Sequence, residues 1–407
     1  MSEDPYLRMS SLEAAAGWVP GFVPVQPGLE EHVPIEDPLE AFEAVLLKAL
    51  QFRTCFVEFS GGRDSSAVLA AACQVARREG LALPVPLTRV FPEAPTAREG
   101  DWPERVIRHL GLKEWIRLEI RDELDLLGPT AIEGIRQHGL LWPVTVHTKP
   151  MTFEQARGGA LVSGEGGDEV FGRRRITPVT MLLAGIRPRS LGLKFSLAAL
   201  SPKLIRKRYA ESSVRKSVGS WLTPLAANAH TESVVADELG EPIVWAESVR
   251  ALSRRRGWIM GKHNLSVRAK QHDVEYFHPL LDERFIEAFV RRRPILGYPN
   301  RTTAMQAIFG SLLPAEVLAR STKARFNSPY FHDYCRAFAR DWSGEGVDPE
   351  LVHVEELKRV WNGDLPHAQS LPLLHQAWLA VSGIASSLRA TTPNGGLSVV
   401  RDPSLNP

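Results

Sequence analysis

The chain has 407 residues, 44% hydrophobic and 24% charged, and its 49 basic against 47 acidic side chains leave a formal net charge of +2. That length accommodates two domains with cores of their own and excludes a stapled miniprotein, while the charge balance gives no basis for nonspecific binding to nucleic acid or membrane. With three scattered cysteines, no C-x-x-C pair and the acidic start Met1-Ser2-Glu3-Asp4, neither a disulfide framework nor a signal peptide is expected; with no apolar run near the ~20 residues of a bilayer span, a soluble, cytoplasmic protein is expected.

Residues 1–36, with Pro20, Pro24, Pro27 and Pro34, read as an extended arm. From Pro38, apolar residues at Leu39, Phe42, Val45, Leu46 and Ala49 recur at helical steps. Thr54 to Phe59 is short, apolar and β-prone, and reads as a buried strand. A Gly-rich turn and a helix over Ser65 to Arg78 follow it. Further strands are predicted at Pro84–Val90, Glu114–Ile120 and Ala160–Ser163, with a helix at Trp102–Leu110 between the first two. Strands alternating with helices predict an α/β doubly wound parallel sheet over 37–175. Helical periodicity dominates 176–388, read as a second, mainly helical domain, and residues 389–407 read as a disordered tail.

The first turn is Phe59-Ser60-Gly61-Gly62-Arg63-Asp64-Ser65-Ser66, between a strand and a helix. Free N–H groups and the helix dipole at such a junction attract anions, glycines permit close backbone approach, and the serines add donors. No lysine follows, so it is not the loop of γ-phosphate-cleaving enzymes. Asp64 would repel phosphate unless a cation lay between them, and nucleotide-bound magnesium supplies one. The plainer alternative is a Ser/Gly turn whose polar residues only cap a helix.

Leu161-Val162-Ser163-Gly164-Glu165-Gly166-Gly167-Asp168-Glu169-Val170-Phe171-Gly172 again sets glycines and acids after an apolar strand. Carboxyl ends of neighbouring strands converge on one crevice in a doubly wound sheet, so Asp64 and Asp168 are expected to share one magnesium. Glu165 is free to orient or deprotonate an amine. The competing reading is an acidic turn with solvated carboxylates.

Ser60-Gly61-Gly62-Arg63-Asp64-Ser65 resembles the pyrophosphate loop of ATP-pyrophosphatase enzymes, which cleave ATP between the α- and β-phosphates. The second stretch is similar to the S-G-E-G-x-D-E-x-F-G signature of the asparagine synthetases and their relatives, the β-lactam synthetases and lasso-peptide cyclases. His278-Pro279-Leu280-Leu281-Asp282, with Glu275 before it, resembles the P-F-L-D element of that family. Leu312 to Phe326 resembles its L-P-x-x-V…R-x-K-x-x-F stretch, in which the family's lysine aligns with Lys323. The resemblance spans roughly 37–385. It implies that Phe59, Ser60, Gly61, Gly62, Asp64, Ser65, Ser163 and Gly164 bind ATP, that Asp64 and Asp168 hold Mg2+, and that Glu165 and Lys323 are catalytic. Thr302, Gln306 and Phe277 stand where the family has lysine, arginine and arginine, a departure that concerns the carboxylate and acceptor pockets.

The implied reaction adenylates a small-molecule or peptide carboxylate and passes the acyl group to ammonia or a substrate amine. Too little chain precedes Ser60 for the family's glutaminase domain, so nitrogen is expected from free ammonia, a substrate amine, or a separate ammonia-supplying or carrier protein. The alternatives are a nucleotide-binding assembly protein that has lost its chemistry and, ranked last, an RNA-modifying pyrophosphatase. Cys55 and Cys73 read as core, and Cys335 lacks a basic activator. His263, His272 and His278 lack metal-ligand spacing and read as core or surface residues. The arginine triplets at 173–175, 254–256 and 291–293 read as solvated faces, although the first follows the second loop directly, which leaves a phosphate contact open.

Overall fold

A computed structural model describes residues 4–24, 36–92, 100–186, 189–292, 294–320 and 328–383. The region read as a C-terminal tail lies outside them.

Five parallel strands form one sheet: β1 (Cys55–Glu58), β2 (Val85–Val90), β3 (Ile116–Glu119), β4 (Gly159–Val162) and β5 (Val274–Phe277), in the order β3-β2-β1-β4-β5. The chain leaves β1 toward β2 and β3, and leaves β4 the other way toward β5. The adjacent pair β1–β4, in register Phe56 to Leu161, is therefore the switch point at which a doubly wound sheet opens a crevice. Alternation along the strands divides the core. Cys55, Val57, Phe59, Ala160 and Val162 face the helices Pro38–Leu50, Arg63–Arg78 and Glu283–Arg291. Phe56, Leu161, Val274 and Tyr276 face the helix Arg256–Gln271. Both faces are covered along β1 and β4, which read as short apolar runs, whereas the edge strand β3 alternates half-buried Ile116 and Leu118 with exposed Arg117 and Glu119.

Four of these strands lie where the sequence places them. The fifth was hidden: Val274-Glu275-Tyr276-Phe277 sits in a region of helical periodicity, and four alternating residues are too few to stand out. The N-terminal segment also differs from the extended arm expected of it. Ser11–Ala16 is helical, started by a capping box in which Ser10 and Glu13 satisfy each other's backbone and ended by left-handed Gly17. Its Ala15 and Ala16 enter a second core with Trp221, Trp361 and Leu374, and Tyr6 is buried against the sheet, donating to Gln271 at 2.9 Å. The second core gathers the helices Pro129–His138, Asp333–Asp341, Val354–Trp361 and Leu371–Val381. Among the described residues, no helix is long and apolar enough to cross a membrane.

Candidate active site

The loops after β1 and β4 meet above the switch point. Gly61 takes φ +81°, a left-handed turn that a side chain resists, and a Cβ there would strike Pro103 at 2.5 Å. Gly62 caps the 16-residue helix Arg63–Arg78 without a side-chain bond, leaving its N-terminus for an anion. The Ser65 hydroxyl accepts from Ser60 N–H at 3.2 Å and donates to the Gly62 carbonyl at 3.1 Å, which holds the loop shut. The second loop touches the first because it lacks side chains: a Cβ on Gly167 would lie 2.3 Å from the Asp64 carboxylate. Beneath this loop Gly166 rests on Leu281, while Asp282 caps the helix Glu283–Arg291 by accepting from Arg284 N–H at 3.0 Å. The P-F-L-D-like element thus supports the second loop from below.

A cavity of about 740 Å³ opens here, lined by both loops and by the carboxyl ends of β1 and β2. Phe59, Ser60, Gly62, Asp64, Ser65, Gly164, Glu165 and Asp168 all line it. Ser163 is placed otherwise. It is fully buried, and its hydroxyl lies 2.8 Å from His278 Nδ1 and accepts from Glu165 N–H at 3.3 Å. Gly61 turns its carbonyl to Arg320, which donates to it at 2.9 Å, so the described part of the Leu312–Phe326 stretch reaches the first loop. Lys323 itself lies outside the described residues.

Asp64 and Asp168 come together. The guanidinium of Arg301, first residue of the helix Arg301–Phe309, donates to both. Burial pushes the Asp64 carboxyl up, although Arg301 opposes that shift. Asp64 Oδ1 and Arg301 Nε are buried without partners, so the ion pair leaves coordination capacity unused. Two hard carboxylates beside an uncapped helix N-terminus fit magnesium, which is commonly held by one or two carboxylates plus substrate phosphates. A cage of three or more protein ligands is absent among the described residues.

Glu165, 40% exposed, has Oε1 3.7 Å from Lys149 Nζ and Oε2 3.8 Å from His278 Nδ1. Lys149 is buried and donates to Glu58 Oε1 at 2.9 Å and to the Tyr276 hydroxyl at 3.0 Å. Burial pushes the Glu58 carboxyl up, but the Lys149 and Arg89 charges outweigh it and hold the group at about 2. Burial also lowers the His278 imidazole, leaving it neutral beside Glu165 at ordinary pH. The cavity's far wall is Leu87, Thr88, Val90 and Trp115, whose indole donates to Thr88 Oγ1 at 2.8 Å and carries Arg117 stacked at 3.7 Å.

The sequence reading missed Arg301, Lys149 and Glu58, and it set His278 aside. Glu58 had a usable signal, an acid closing an otherwise apolar strand. Arg301 and Lys149 had none, because each lies far along the chain from its partners. Arg174 corrects the reading of its triplet as a solvated face: it is buried and donates to the Glu169 carbonyl. All three cysteines are buried; Cys335 Sγ lies 2.7 Å from Asp125 Oδ1, and burial beside that carboxylate pushes its thiol up.

No curated protein matches the chain. A family model described as asparagine synthase matches residues 42–380, a stretch that includes all five strands, both loops and Arg301. That family uses ATP, and the match supports an ATP-dependent amide-forming ligase of the asparagine synthase type. With more than four-fifths of its length matched, the chain belongs to the asparagine synthase family.

Proposed function

We propose that the chain activates a carboxylate as its acyl-adenylate, releasing pyrophosphate, and then passes the acyl group to an amine, releasing AMP. The observation that supports this most directly is the meeting of Asp64 and Asp168 on one cation beside an open helix N-terminus. In this reading the loop Ser60–Ser65 cradles the phosphates, and Arg63, Arg301 and Arg320 along the cavity offset their charge. Magnesium held by Asp64 and Asp168 would neutralise charge on the departing pyrophosphate. Glu165, on the cavity wall, takes a proton from the attacking amine, and Lys149 fixes its position. Lys323 supplies a further cation by family resemblance. Proximity contributes the remainder, since acid, nucleotide and amine share one cavity.

The test is pyrophosphate release across a panel of carboxylic acids, with hydroxylamine added to trap an acyl-adenylate as its hydroxamate. Acid-dependent release that is lost in Asp64→Ala is expected. ATP binding without release for any acid, with or without amines, would instead favour a nucleotide-binding protein that has lost its chemistry. Arg301 lying on the two carboxylates, together with Thr302, Gln306 and Phe277 at the family's basic positions, gives that second reading its own support.

A further inference from the structure

The near-neutral total charge hides an uneven distribution. From Leu183 to Ser217 the sequence holds nine Lys and Arg residues and one acid, Glu211. The segment therefore carries +8 and the rest of the chain −6, which sum to the net +2. The same segment exposes large apolar side chains. On the helix Arg189–Leu200, Leu193, Leu197 and Leu200 are 53, 61 and 53% exposed, at the i, i+4, i+7 spacing of one helix side. Ser201 and Pro202 then lead into the helix Lys203–Ser217, where Leu204, Ile205 and Tyr209 are 69, 59 and 75% exposed. These are not misplaced core residues. The second helix already buries Ala210 and Val214 with Val235 of the helix Pro224–Gly240, so its outward apolar set is additional.

Exposed apolar residues gathered along one stretch of chain indicate an interaction surface, and the charge indicates an anionic partner. A second copy of the chain would set +8 against +8 and is disfavoured. Nucleic acid would use the cations and aromatic stacking, leaving the exposed leucines unburied. A lipid interface uses both sets at once. Aliphatic side chains enter the headgroup–acyl boundary, while long basic side chains interleaved with them, as in Leu193-Lys194 and Lys203-Leu204-Ile205-Arg206-Lys207, snorkel to the phosphates. We propose that the outward side of the helices Arg189–Leu200 and Lys203–Ser217 docks peripherally on an anionic lipid surface. The face is tied to the active site: Arg175 donates to the Ala199 carbonyl at 2.9 Å, and its neighbour Arg174 holds the carbonyl of Glu169 on the cavity wall.

The experiment is co-sedimentation of the full chain with phosphatidylcholine vesicles, with and without phosphatidylserine. Phosphatidylserine should strengthen binding at least about tenfold, because the basic side chains are attracted to its anionic headgroups, and added salt should reverse the gain. The variant Leu197→Ser/Leu200→Ser/Leu204→Ser/Ile205→Ser should lose the binding. Should that variant not fold, a polarity-sensitive dye on Leu204→Cys should shift to the blue with phosphatidylserine vesicles. Equal sedimentation with both vesicle types, undiminished binding by the quadruple variant, or an unmoved dye spectrum would overturn the proposal. So would a chain that ignores phosphatidylserine yet retards nucleic acid or captures an acidic protein.

Discussion

Arg301 donates to Asp64 and Asp168 together, so the two acidic turns are joined by a cation that the chain itself supplies. A divalent ion and this guanidinium compete for the same pair of carboxylates. Replacing Arg301 by Gln should therefore raise the affinity for Mn2+ without nucleotide by about tenfold or more, read by the loss of the free-ion electron paramagnetic resonance signal. The metal-free variant should also be less stable by about 2 kcal/mol, since it leaves carboxylates in a partly buried site without their counter-charge. Unchanged Mn2+ affinity would show that the guanidinium does not occupy the metal's place.

Removing either carboxylate should abolish turnover while sparing the fold. For Asp64→Ala or Asp168→Ala we expect pyrophosphate release to fall about a thousandfold, equivalent to ~4 kcal/mol of lost charge stabilisation. Release within a few-fold of the parent would remove metal binding from these positions.

Glu165 is paired with Lys149, whereas Asp64 and Asp168 are paired with Arg301, which predicts a split between the two half-reactions. Glu165→Gln should still form the adenylate, measured as acid-dependent exchange of pyrophosphate into ATP. Amide formation should slow by about 10²–10⁴, the range for a lost general base. Equal losses in both steps would make Glu165 a residue of activation instead.

Lys149 and Glu58 form a buried pair, and breaking it should cost about 3–5 kcal/mol in Lys149→Met. The pair also gives a pH signature. Glu58 is held at about 2, below its ordinary value of 4.5, so the unfolded chain takes up this proton first. Its stabilising contribution is complete above 4.5 and is lost as pH falls from there through 2. Without Lys149 the carboxyl loses its main counter-charge, so urea midpoints of the variant should fall less steeply across that window. His375, lowered to about 4 by burial, adds a loss of stability in both chains as pH drops from 6.5 toward 4.

Gly167→Ala tests the contact between the loops without touching a charge. The added methyl would occupy the space of the Asp64 carboxylate, so the loops must part. Pyrophosphate release should drop at least about tenfold, with near-ultraviolet circular dichroism unchanged. Normal activity would mean that the loops need not touch.

What the sequence determined by itself was local. Each of the first four strands is a short apolar or alternating run closed by turn residues, and each glycine-and-acid turn follows a strand within two residues, so hydrophobic patterning and backbone chemistry sufficed to find them. The helical caps at Ser10, Asp37 and Asp282 belong to the same level, although the sequence reading named none of them as a cap. Tertiary structure decided what joins across distance: Arg301 on Asp64 and Asp168, Lys149 between Glu58 and Glu165, Ser163 turned to His278 and away from the cavity. None of these has a sequence spacing, because a parallel sheet brings strand ends together through crossovers of arbitrary length. The +8 segment was present in the letters from the start; only the exposure of its leucines, set by which helix sides found partners, gave that charge a surface to act from.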